Sequence, residues 1–154
     1  MAFREKILWA SGMLTLGIWG WYFTGFVSAL KGGHFDQGAA VGAFIGTVII
    51  LVVVHIVAAI VIAIMSGRDA SAPADDREKA FARDAYRPAY FTLSAMVVTL
   101  MIAGPVLLRI ALEWSPAPPN DLAPVVLGNA LLASLVLAEL VHTGAQLVRF
   151  RLGG

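Results

Sequence analysis

Four long apolar runs, separated by short polar stretches, set the pattern of the chain. The runs cover about residues 6–30, 38–66, 89–114 and 122–148. Each reaches the roughly 20 residues that a helix needs to cross a hydrocarbon core. The second contains VIILVVVHIVAAIVIAIM, a β-branched run of the kind that favours strands in water. In lipid a lone strand leaves its backbone N–H and C=O groups unpaired, so each run is expected to be a helix. The pattern predicts an all-α fold, a bundle of four transmembrane helices forming one integral membrane domain over residues 1–154.

The breaks differ in kind. KGGHFDQG, residues 31–38, and SPAPPND, residues 115–121, are short connections, and three prolines end the helix in the second. Residues 67–88 form a larger loop. Its SGRDASAPA portion is a flexible linker, and DDREKAFARDAYR is a short cytoplasmic helix between the second and third spans. Asp75 and Glu78 have capping-box spacing, and Asp75 and Lys79 are an i,i+4 pair. Pro88 marks a kink or a fresh start before the third span, and Pro105 a bend near residues 102–104. Phe81 and Tyr86 are expected on the lipid interface.

Charge turns the pattern into a topology. Arg4 and Lys6, then Arg68, Arg77, Lys79, Arg83 and Arg87, then Arg149 and Arg151 make nine of the eleven basic residues. All nine fall on one side if each run crosses once. The positive-inside rule puts that side, with both termini and the middle loop, in the cytoplasm. The implied location is a bacterial inner membrane, multi-pass. The first run is too long for a signal-peptide core of about 7–15 residues, so it is expected to be retained.

Composition fits: 59% of residues are hydrophobic and 14% charged, against roughly 25% charged in soluble domains. Cysteine is absent, which excludes disulfides and thiol chemistry. No basic patch suits a nucleic acid, and no nucleophile elbow or phosphate loop is present. The tripeptide REK occurs at residues 4–6 and 77–79, ahead of each helix pair, but nothing else aligns at that offset.

The candidate chemistry lies in the last run, within LAELVHTGAQ. Asn129, Glu139, His142, Thr143 and Gln146 fall within roughly 140° of arc on one helix. Charge inside a bilayer is costly, so this stripe is expected to face the bundle interior. From the inner ends of their helices, His142 lies about 9 Å deep, Glu139 about 14 Å and His55 about 16 Å, at 1.5 Å per residue. The leading reading is a hydrogen bond from Glu139 to His55 or to His142. The sharper alternatives are a haem b held by His55 and His142, a metal site of Glu139, His142 and His55, a quinone site, and cation- or proton-coupled transport through Glu139. A lone Glu-x-x-His falls short of the paired motifs of di-iron bundles, so no cofactor is assigned. His34, near Asp36, is read as a solvated loop histidine. Gly38, Gly42 and Gly46 form a small-residue stripe that admits a close neighbour. That neighbour is read as another helix of the same chain, with a homodimer as the alternative. Arg109 and Glu113 are expected to pair.

DDREKAFARDAYRPAYF, and the closing AELVHTGAQLVRFRLGG, resemble a family of small four-helix bacterial membrane proteins of unknown function with a DEREK-like loop. The matching positions are Asp76, Arg77 and Glu78, then Glu139, Gln146, Arg149 and Arg151, within residues 75–154. The resemblance implies the same topology and no activity. The functional expectation is a non-enzymatic regulatory or accessory subunit in the lipid bilayer. Its protein partner would meet Arg77, Glu78 and Arg83 on the cytoplasmic loop.

Overall fold

The computed structural model describes residues 3–33 and 35–152; His34 lies outside them. Helix α1 spans Phe3–Lys31, α2 Gln37–Ser66, α3 Asp76–Trp114 and α4 Pro119–Leu152. A 3-10 turn, Gly67–Ser71, follows α2. All four helices are long and apolar enough to cross a membrane, and no strand occurs among the described residues.

Local chemistry sets the boundaries. Asp36 caps α2 by accepting from the Ala39 N–H at 2.6 Å. Gly67 has φ +54°, a left-handed conformation that costs a residue without Cβ little, and there the chain leaves α2. Asp75 and Glu78 form a full capping box at the start of α3. Pro119 opens α4, where its missing N–H is not needed.

Two expectations about the loop are corrected. There is no separate cytoplasmic helix, because α3 runs unbroken for 39 residues through Pro88 and Pro105. At 1.5 Å per residue it is about 58 Å long, more than the roughly 45 Å of a whole bilayer. A helix of that length, crossing a bilayer, has turns to spare outside it. Lys79 pairs with Asp76 at 3.0 Å rather than with Asp75, because the Asp75 carboxylate is already accepting the Glu78 N–H at 2.6 Å.

The middle of the molecule is α1 beside α4. α2 packs on the far side of α1, and α3 lies along α4. No packed seam joins α2 to α3 among the described residues. A duplicated hairpin would repeat the α1–α4 seam as an α3–α2 seam, so the fold is not a symmetric repeat. Gly12 marks a close approach of α1 to α4: a Cβ there would stand 3.3 Å from Thr143 Cγ2. α2 is the most apolar helix, yet Thr47 is its one buried residue among those described. Lipid solvates such a surface as readily as protein does, so its hydrophobicity does not force burial.

The two ends are held differently. At the basic end Arg4 pairs with Glu78 at 3.0 Å and reaches the Ala72 carbonyl at 3.4 Å. Arg149 donates to Asp84 at 2.7 Å, and Phe81 meets Phe150 edge-on at 5.3 Å. Phe81 thus packs between helices instead of resting on lipid. The two REK tripeptides meet, Arg4 of the first with Glu78 of the second. At the opposite end Leu30, Ala111, Leu122 and Val126 form an apolar cluster with Phe26, Phe35 and Leu112. Lys31 sits 4.7 Å from the centre of the Trp114 ring, and Arg109 pairs with Glu113 at 3.4 Å.

Candidate functional site

The polar stripe of α4 does not meet one common partner. Toward its N-terminal end Asn129 donates Nδ2–H to the Val125 carbonyl at 2.9 Å, while its buried Oδ1 has no partner among the described residues. Asn129 lines a groove of about 440 Å³ with Tyr22, Val41, Phe44 and Leu135. Thr143 is buried against α1 beside Gly12. Gln146 is buried and borders a second cavity, with Arg4, Glu78 and Phe150, at the basic end.

His55 is placed by α2 and answered by α1. Its Nδ1 lies 2.8 Å from the Leu51 carbonyl. A carbonyl only accepts, so Nδ1 carries the hydrogen. The neutral ring then leaves Nε2 as an acceptor. The Ser11 hydroxyl lies 3.2 Å from Nε2 and the Thr15 hydroxyl 3.4 Å from it. Ser11 and Thr15 are one turn apart, so α1 aims both hydroxyls at one imidazole. His55 is therefore a hydrogen-bonded bridge between α1 and α2. The expected Glu139–His55 bond is not formed, because the imidazole is filled from the α1 side. A haem or metal at His55 would have to displace both hydroxyls from Nε2. Groups of three or more His, Asp or Glu side chains able to hold a metal do not occur among the described residues.

His142 faces α3, with the Tyr86 ring 4.4 Å from its own. Its Nδ1 is buried without a partner among the described residues. Glu139 is the sharpest departure from the expected interior stripe: it is exposed. Neither a hydrogen bond nor an ion pair to it is found among the described residues, so the expected Glu139–His142 bond is not formed either.

The glycines correct the packing expectation in the same way. A Cβ at Gly42 or Gly46 would meet nothing within 4 Å, and one at Gly38 would meet only the capping Asp36. Among the described residues no helix closes on Gly42 or Gly46. Instead, Gly46 with Ala39, Ala43, Gly25 and Ala29 lines an open groove of about 430 Å³ between α1 and α2.

Of the loop residues, Glu78 is turned inward as the partner of Arg4, while Arg77 and Arg83 stay exposed. Arg77 lies over the Phe81 ring at 5.4 Å.

Ser11 and Thr15 are the functional side chains that the sequence reading missed. The available signal was their i,i+4 spacing on the first span at a depth close to that of His55. Set against known protein families, curated proteins and solved structures, the chain has no match in any of the three.

Proposed function

We propose that this chain is a non-enzymatic accessory subunit of a bacterial inner membrane, with both termini in the cytoplasm, that holds a partner protein on the projecting turns of α3. One observation carries the reading. The first turns of α3, which we place outside the bilayer, are braced from both sides, by Arg4 to Glu78 and by Arg149 to Asp84. A braced helix end presents its side chains at little further cost in conformational entropy. Arg77 and Arg83 are exposed there, and both suit carboxylates on a partner. The nine basic residues at this end support its cytoplasmic placement. Glu78 belongs to the brace rather than to the contact.

The test is affinity purification of the full chain from its native membrane, beside the double variant Arg77→Ala with Arg83→Ala. A protein present in stoichiometric amount with the parent chain should be lost from the variant, with membrane insertion unchanged. Retention of the same protein by the variant, or its absence from both, counts against the reading.

A second reading has one observation in its favour. Glu139 and the Nδ1 atom of His142 lie one turn apart and neither has a partner among the described residues, which suits a proton- or cation-coupled path through α4. A Glu139→Gln variant with normal uptake or efflux removes it.

A further inference from the structure

Glu139 is the one Asp, Glu, Lys or Arg of α4 between Asp121 and Arg149. It lies ten residues, or about 15 Å, from Arg149. Long side chains near a helix end escape lipid by reaching for the surface. Glu139 is badly placed to do so. Helical side chains lean toward the N-terminus of their helix, and α4 enters from the opposite end, so the carboxyl leans away from the basic end. Ionised, it is a charge in hydrocarbon; neutral, it still has a donor and an acceptor to satisfy.

Its surroundings are those of a contact face. Leu135, Leu131 and Gly128 precede it at helical spacing, and all three are exposed. A Cβ at Gly128 would meet nothing within 4 Å, so another backbone can approach closely there. Among the described residues no Lys or Arg pairs with Glu139. Arg87 follows Tyr86, whose ring meets His142 one turn nearer the basic end, and its guanidinium lies over Phe91. A second copy is a poor match as well. In a two-fold dimer with both chains in the same orientation, a residue on the axis meets its own counterpart, so Glu139 would face another carboxyl.

Charge complementarity therefore selects the occupant. We infer that Glu139, with the exposed Gly128, Leu131 and Leu135, is the docking stripe for a transmembrane helix of another protein carrying a lysine or arginine at the same depth. The inference rests on the subunit reading and adds a contact inside the membrane to the one outside it.

The probe is a pair of synthetic leucine–alanine helices of about 20 residues, one with a single central lysine and one with leucine in its place. The full chain, with a donor dye at its C-terminus, is placed in phosphatidylcholine vesicles, and energy transfer to each acceptor-labelled helix is measured. The lysine helix should bind about tenfold more tightly than its twin. Glu139→Leu should erase that preference, and Glu139→Gln should remove most of it. The Arg77→Ala, Arg83→Ala variant should keep it, which separates this contact from the cytoplasmic one. Equal binding of the two helices overturns the inference, as does a preference that survives both Glu139 variants. Glu139-dependent energy transfer between copies of this chain overturns it too, by placing a second copy on the stripe.

Discussion

The α1–α2 seam and the open face of α4 carry polar groups at similar depth, and the two groups meet opposite fates. On the seam, His55 has both ring nitrogens engaged, by Leu51 on one side and by Ser11 and Thr15 on the other. On the open face Glu139 is exposed, with no partner among the described residues. An intramembrane polar residue is thus a structural bridge or an unfilled contact according to what faces it, and its own identity does not decide which. The same contrast runs through the glycines. Gly12 is closed on by Thr143, while Gly42 and Gly46 face open space.

The largest effect that would break this contrast belongs to His55. His55→Ala removes the bridge and leaves the Ser11 and Thr15 hydroxyls of the seam without their partner across it. It should lower resistance to unfolding in detergent by about 1.5 kcal/mol. Unfolding followed by tryptophan fluorescence measures this, and an unchanged midpoint would mean that the seam does not depend on the bridge. A smaller effect belongs to the hydroxyls. Ser11→Ala and Thr15→Ala should each cost about 0.6 kcal/mol, and each loss should vanish in the His55→Ala background. Additive losses in that cycle would show that the hydroxyls act independently of the ring. The smallest effect belongs to Glu139. With no partner to lose inside the chain, Glu139→Leu should leave the unfolding midpoint of the isolated protein unchanged or raise it. A loss as large as that of His55→Ala would show that Glu139 is held within the chain after all.

The sequence reading was strongest where physics is local. The four membrane-length helices, the capping box at Asp75 and Glu78 and the Arg109–Glu113 pair are all found in the structure. It was weakest wherever two distant segments had to be matched. Glu78 offered itself as a partner contact because its charge lies in the one sizeable polar loop. Its use by Arg4, more than seventy positions away in the chain, leaves no mark at either residue. Pro88 suggested a kink or a fresh start, yet the helix does not restart there and passes through it, just after the Arg149–Asp84 pair and the Tyr86–His142 contact. The stripe from Asn129 to Gln146 was visible as a stripe, but which way it turned was not.

A bilayer explains the division. Backbone groups cannot stay unpaired in hydrocarbon, and charges collect where the chain leaves it, so four helices and a basic end can be read from composition along the chain. Facing is another matter. In water the apolar side of a helix must turn inward, but lipid solvates that side as well as protein does, so a hydrophobic pattern says little about which side meets a neighbour. Only the packing of α1 between α2 and α4 gave His55 its partners, and only that packing left Glu139 turned outward.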